Sequence, residues 1–491
     1  MQMNVKTKSV KLNFIMNAIL TMSQLIFPLI TFPYISRVLL PEGTGKVSFA
    51  TSVVSYFAMF AQLGIPTYGI RACAKVRDDR EQLTRTVQEL LIINLVMSMI
   101  IYVALFVAIF TVPRLQQDKL LFTIMSSLIF FNAIGMEWLY KALEQYSYIT
   151  IRSIVFKFVG VVAMLVLVHK KSDYVIYGGL TILAGSASNI FNLLRVRKYV
   201  TLRPVGGYNF RRHFKAVIIF FAMSCATTVY TNLDKVMLGF MTSDQDVGYY
   251  HAAVRIKDIL VSIVTSLGAV LLPRASYYVE HGLLDEFYRI TQKAINFVFL
   301  FATSTMIYFM LFAKEGVLFL SGSAYVGAIL PMQIIMPTLL FIGLTNVMGI
   351  QMLIPLGKEK IVLYSEIAGM IVDLILNAIL IPKLAATGAA IGTLAAEMMV
   401  FVVQLAALKE ETRVAYKNVN YIHIVLALIA SSIIALMCKN LVNSNFLTLC
   451  ISGAAFYVVY GVILLVFRET LVVEILGQIV GIVSKKYKRF L

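Results

Sequence analysis

Runs of apolar residues long enough to cross a bilayer recur along almost the whole chain, separated by short polar stretches. A helix needs about 20 apolar residues to span the hydrocarbon. Fourteen segments qualify, near 13–36, 47–70, 89–112, 120–140, 151–168, 174–194, 216–234, 249–273, 294–313, 327–354, 361–381, 388–408, 421–438 and 446–467. The pattern predicts an all-α polytopic membrane protein of about fourteen transmembrane helices.

Polar positions inside these segments fall at helical spacing. In the eighth, His251, Arg255, Asp258, Ser262 and Thr265 step by four, three, four and three, which puts them on one side of a helix. A charge near the centre of a span costs about 2.5–3.5 kcal/mol, so this stripe should face protein or a water-filled cavity. Ser48, Ser52, Ser55, Met59 and Gln62 in the second segment repeat the same steps, and adding 203 to each number gives the first set. Gly45 and Gly248 share the offset, as do Ala50 and Ala253. Pro66 with Arg71 and Pro273 with Arg274 close the two segments alike. Helices one to six therefore read as a duplicate of seven to twelve, two lobes with a parallel pseudo-two-fold repeat around a central cavity. The divisions expected are an N-lobe at 1–198, a basic linker at 199–215, a C-lobe at 216–410, and two further helices with a basic tail at 411–491.

Other stripes supply further candidates. Asn17, Gln24 and Thr31 recur at intervals of seven, with Pro28 and Pro33 bending that helix. Ser224, Thr227 or Thr228, Thr231, and Asp234 or Lys235 form a row in the seventh segment. Glu366, Asp373 and Asn377 share one face, and Thr393, Glu397 and Gln404 another. Buried carboxylates such as Asp234, Glu366, Asp373 and Glu397 could couple transport to a cation or proton, or neutralise cavity arginines. Arg255 and Asp258, three apart, could instead satisfy each other along the helix. Lys257, about 200° round from Arg255, lies off the stripe. Glu137 and Glu144 could pair with Arg152 or Lys157, Lys157 is expected to reach back to the cytoplasmic surface, and Trp138 and Tyr140 fit an interfacial aromatic belt.

Composition agrees: 59% of residues are hydrophobic and 14% charged. The net charge of +18 could suggest nucleic acid, but the cations sit in short loops with no folded module to present them. Their distribution carries the information. Of 43 Lys and Arg, thirty fall on one side of the alternating loops, ten on the other, and three within spans. The rich side includes Lys6, Lys8 and Lys11 at the start, Arg71 to Arg85, the linker, and Lys485, Lys486, Lys488 and Arg489 at the end, so both termini are expected in the cytoplasm. The first apolar run is too long for a cleaved signal and lacks a cleavage site, so it reads as an uncleaved first helix. Cys73, Cys225, Cys438 and Cys450 have no paired spacing and read as free thiols. No Cys or His cluster suggests a metal, no Walker-type loop suggests a nucleotide, and no nucleophile–base set appears, so neither enzyme activity nor a cofactor is expected.

The segment Pro28-Leu-Ile-Thr-Phe-Pro-Tyr-Ile-Ser-Arg-Val-Leu-Leu-Pro-Glu-Gly-Thr-Gly-Lys46, followed by Leu63-Gly-Ile-Pro-Thr-Tyr-Gly-Ile-Arg71, resembles the start of bacterial Wzx-type flippases. Glu137-Trp-Leu-Tyr140 with Glu144, Asp234-Lys235 before Gly239, and Gly248-Tyr-Tyr before Ala253 extend the resemblance over nearly the whole chain. It implies the superfamily of multidrug and toxin extruders and the lipid II flippase, with a substrate of undecaprenyl-pyrophosphate-linked oligosaccharide. That substrate would cross the bacterial cytoplasmic membrane for capsule, O-antigen or exopolysaccharide assembly, carried by a monomer alongside a polymerase and other assembly proteins. The pyrophosphate would need cations from Arg255, Arg37, Lys235 or Arg71, and the sugars would need the Ser, Thr, Asn and Gln stripes. A cation-coupled drug exporter, a non-transporting scaffold and, more remotely, a membrane-embedded glycosyl transferase or polymerase remain alternatives.

Overall fold

The computed structural model describes residues 10–417, 419–439, 441–474 and 477. The basic positions Lys6, Lys8, Lys485, Lys486, Lys488 and Arg489 lie outside the described residues. Within them the chain is helical, with no strand. Nine helices are long and apolar enough to cross a membrane, or twelve if each of three bent pairs is one span. Two of the fourteen expected segments share one long element, Val10–Gln62, which the non-helical Leu40 (φ 57°) divides into arms at 10–39 and 41–62. Pro41 follows that break at the first position of its arm, where a missing N–H is tolerated. The shorter apolar helix Lys119–Gly135 carries a further expected segment. The expected tenth segment contains a 45° break between Ser323–Ile335 and Thr338–Leu353, and its last eight residues, Asn346–Leu353, are wound as a π-helix.

By contact the chain forms two units, Met1–Gly248 and Tyr249–Leu491. Helix Arg211–Met241, expected to open the second half, groups here with the first unit, where it packs on Val10–Gln62 and on Ile65–Ala74.

Polar anchors, some exposed and some buried, fix the first unit. Asp79 caps helix Arg80–Thr111 by accepting hydrogen bonds from the Glu81 and Gln82 N–H groups. The backbone N–H of Gln82 first, and that of Glu81 with it, hold the Asp79 carboxyl below its ordinary range. Near the start of that helix, Gln88 donates to the carbonyls of Thr201 and Arg203, both at 2.8 Å. Fully buried Glu89 accepts from Arg212 Nε at 2.9 Å and from the Asn209 N–H at 2.7 Å. The basic linker is thus strapped down rather than free.

The tract around 137–157 departs from expectation except in the pairing of Glu137 with Arg152. Trp138 and Tyr140 are buried at 4% and 0% exposure, not placed in an aromatic belt. Gly69 leaves room for the indole, since a Cβ there would lie 2.7 Å from the ring, and Tyr140 donates to the Asn192 carbonyl at 2.6 Å. Glu137 pairs with Arg152 at 3.0 Å and Lys141 at 2.9 Å, while Glu144 takes Arg77 at 2.8 Å. Lys157 reaches neither glutamate; half-buried, it donates to Ser23 Oγ at 2.7 Å.

In the second unit, helices Glu359–Leu384 and Ala386–Ala407 form the most extensive pair. Helices Tyr421–Cys438 and Asn445–Val466 both pack onto Leu284–Leu311, the latter also through aromatic hydroxyls. Tyr308 donates to the Leu449 carbonyl at 2.7 Å, and Tyr460 to that of Leu300 at 3.0 Å.

Candidate functional site

A cavity of about 300 Å³ opens in the first unit, at the small end of the range for ligand pockets. Three helices and one break build it. The 41–62 arm contributes Ser55, Ala58, Met59 and Gln62; Lys119–Gly135 contributes Leu128 and Asn132; Arg211–Met241 contributes Ser224, Thr228 and Asn232. Gly64 and Pro66 complete it at the break between Gln62 and Ile65. Each helix presents a row at steps of three or four, one face of an α-helix. The break requires glycine: Gly64 has φ +71°, and a Cβ on it would lie 2.5 Å from the Phe220 carbonyl carbon. Interrupted helices are also where membrane carriers place ligands, because the backbone there lines a cavity.

No described lining residue is ionisable. The side chains of Gln62 and Asn132 make no hydrogen bond among the described residues, so both amides are open to the cavity. Asn232 uses its Nδ2 on the Thr228 carbonyl at 3.0 Å and Thr231 Oγ1 at 3.1 Å, leaving its amide oxygen. Ser55 donates to the Thr51 carbonyl at 2.7 Å and keeps its lone pairs.

Of the serine stripe, Ser55, Met59 and Gln62 reach the cavity, whereas Ser48 and Ser52 are packed away, Ser52 at 1% exposure. Ser224 and Thr228 also line it; Asn17 and Gln24 are exposed positions elsewhere on the unit. Asn132 and Asn232 are the cavity residues that periodicity did not single out. Both carried a signal: Asn232 follows Thr228 by four, and Asn132 is a lone amide in an otherwise apolar stretch. Asp234 is buried and Lys235 half-buried just beyond Asn232. Arg37 and Arg71 are exposed at opposite ends of the 41–62 arm, whose 22 residues make it about 33 Å long, so they cannot hold one phosphate together.

The far end of that arm is closed. A Cβ on Gly45 would lie 1.7 Å from the Asp244 carbonyl oxygen and 2.9 Å from the Gly248 nitrogen, and one on Gly248 2.0 Å from the Pro41 carbonyl oxygen. The two glycines that share the 203-residue offset therefore meet, and only bare backbone fits between them. Around them Arg114 pairs with Asp244, donates to the Gly239 carbonyl at 2.7 Å and lies 4.7 Å over the Phe49 ring. Lys46 sits 3.7 Å from Asp118 and 3.5 Å from Glu42, and Tyr174 donates to Asp118 at 2.8 Å.

In the second unit, Arg255 is half-buried, and its Nε is buried with no hydrogen-bond partner among the described residues. Asp258 does not pair with it along the helix; it pairs with Lys257 at 3.1 Å, the neighbour set aside on angular grounds. Adjacent side chains diverge by about 100°, but a long lysine can still swing to an exposed carboxylate. His251 is half-buried on the same stripe. Asp373 and Glu397 are buried, at 2% and 7% exposure, and Glu366 is half-buried. A Cβ on Gly392 would lie 2.3 Å from Asn377 Oδ1 and 3.0 Å from Asp373 Oδ1, so this helix crossing is tight as well as polar. Tyr250 and Thr393 share a 2.8 Å hydrogen bond, and Gln404 donates to Ser365 at 3.0 Å.

Comparison with known proteins adds the family. Residues 10–279 match the model of a family described as polysaccharide biosynthesis protein. A protein of Escherichia coli (strain K12), named as an O-antigen transporter, is 25% identical over 400 residues, covering 81% of this chain and 96% of the relative. Among solved structures, the lipid II flippase MurJ in an inward closed conformation aligns with a TM-score of 0.72 at 14% identity, over 93% of this chain and 100% of that one. An inward-facing multidrug resistance MATE family transporter of the MOP superfamily aligns at 0.61 and 13% identity, over 83% and 99%. These two likenesses establish the fold.

Proposed function

The chain belongs to the polysaccharide biosynthesis protein family, and from that premise we propose that it is a flippase for undecaprenyl-pyrophosphate-linked oligosaccharide repeat units. It carries them by alternating access from the inner to the outer leaflet of a bacterial cytoplasmic membrane, for capsule, O-antigen or exopolysaccharide assembly, and performs no chemistry on them. The observation that carries this reading is the cavity lined by Ser55, Gln62, Asn132, Ser224, Thr228 and Asn232. Interior hydroxyls and amides can tie helices together, but the Gln62 and Asn132 amides have no side-chain hydrogen bond among the described residues and match the hydroxyls of a sugar.

The thirty-to-ten bias of loop cations supports cytoplasmic termini. In that orientation the cavity lies toward the cytoplasmic end of its arm and the Gly45–Gly248 contact at the outer end, as loading from the inner leaflet requires. Arg255 is the cation we assign to the pyrophosphate, because its Nε has no described partner; Arg71, Arg37 and Lys235 could serve at other stages of transit. Asp234, Glu366, Asp373 and Glu397 are the groups assigned to ion coupling, and the carrier works as a monomer beside the polymerase. A cation-coupled drug exporter draws on the buried carboxylates Asp373 and Glu397, but the described cavity offers no carboxylate to a cationic drug.

Complementation tests the proposal. In a bacterium lacking its own flippase, the wild-type chain is expected to restore surface polysaccharide, and Arg255→Ala at equal membrane level to leave lipid-linked units inside. Failure of the wild type across several repeat units, with lowered sensitivity to cationic drugs, would transfer the protein to the exporter class.

A further inference from the structure

Resting on the flippase reading, we propose that the cavity of the first unit selects its glycan by charge, admitting uncharged sugars and rejecting those that carry a carboxylate or phosphate. The argument is one of hydrogen-bond supply. Gln62 and Asn132 offer open amides, each with two donors and an acceptor, whereas Asn232 has spent its donors within its own helix and presents oxygen. Ser55 has likewise spent its proton and can accept. The lining therefore mixes donors and acceptors.

A sugar hydroxyl gives one proton and takes others, so it suits both kinds of neighbour. A carboxylate or phosphate monoester only accepts. Placed here it would face the oxygens of Asn232 and Ser55 and find no cation, since no described lining residue is ionisable. An ion taken out of water without a counter-charge is among the costliest burials a protein can make. The apolar part of the lining, Met59, Leu128 and Pro66, fits the C–H face of a pyranose ring. The volume of about 300 Å³ holds a small part of a repeat unit, so the pyrophosphate and prenyl chain stay outside and the selection acts on the sugars alone.

The test uses two lipid-linked repeat units that differ only in one sugar, a hexose in one and the corresponding hexuronic acid in the other, in flippase-deficient cells expressing the full chain. Surface polysaccharide from the neutral unit is expected to exceed that from the acidic unit at least tenfold. Gln62→Lys and, independently, Asn132→Lys, each checked for membrane level, should narrow that ratio by supplying the missing cation. Equal export of both units by the wild type overturns the charge selection and leaves the flippase standing; export of neither overturns the flippase reading and this inference with it. A second arm measures the melting temperature of the purified full chain in nanodiscs with the free neutral or acidic oligosaccharide. Stabilisation by the neutral sugar, absent from Gln62→Leu, is expected, and stabilisation by the acidic sugar as large or larger would contradict the proposal.

Discussion

The two ends of the 41–62 arm use opposite chemistry. About 15 Å along the axis separates Gly45 from Ser55 at 1.5 Å per residue, yet one end is crowded with ions while the described lining of the cavity at the other holds none. At the Gly45 end, two cations, Lys46 and Arg114, pair with three carboxylates, Glu42, Asp118 and Asp244, around a contact of bare backbones. At the Gln62 end, amides and hydroxyls surround a cavity. In a bilayer, a charge is tolerable where protein supplies its partner, and such a site is complete by itself. Groups meant for a visiting ligand must survive its absence, and a neutral amide does so at far lower cost than an ion. Under the proposed flippase function, the difference assigns the charges on this arm to closing and the neutral polar groups to binding.

The comparison breaks most severely at the glycines. Gly45→Leu and Gly248→Leu each put a side chain where a Cβ already collides with backbone, so export is expected to fall to background at normal membrane levels, as read by surface polysaccharide. Arg114→Gln should come next. It leaves Asp244 without its partner, and removing one member of a buried pair costs about 3–5 kcal/mol. Both side chains keep some exposure, at 16% and 15%, so about 2–3 kcal/mol is expected here, visible as a lower melting temperature. A cysteine at position 42 should become more reactive to a soluble maleimide.

Substitution at the other end should separate binding from closing. Asn132→Leu and Gln62→Leu each remove hydrogen bonds worth about 0.5–1.5 kcal/mol. The export rate should drop roughly three- to tenfold per substitution, with the melting temperature without ligand unchanged. The smallest effect belongs to Lys46→Gln. Its contacts at 3.5 and 3.7 Å are loose, so a stability change of about 0–1 kcal/mol is expected, and a larger loss would show that the ionic cluster acts as one network.

Much of this contrast was legible along the chain. The four-three-four-three steps put Ser55 and Gln62 on one face, which lines the cavity; the offset between Gly45 and Gly248 was read as a duplication, and it did not show that the two positions meet in space. Helical period reports which residues share a face, but not how deep each lies; hence Ser52 was read with Ser55 although it is packed away. Nor does it report what a neighbouring helix brings. Trp138 looked interfacial because nothing local shows that Gly69 makes room for it. Spacing offered Asp258 as one possible partner of Arg255, yet side-chain reach gave it to Lys257. The docking of the linker on Gln88 and Glu89 depends on partners more than 110 positions away and left no local trace.

The most direct test is flipping by the purified full chain in proteoliposomes carrying an undecaprenyl-pyrophosphate-linked neutral oligosaccharide, scored by protection of the glycan from an impermeant oxidant. The wild type is expected to move the glycan across, and the Gln62→Leu, Asn132→Leu double variant, equally folded by its melting temperature, to leave it on the side where it began. Glycan that stays put with the wild type, or crosses equally well with the double variant, would contradict the assignment of the uncharged cavity to transport.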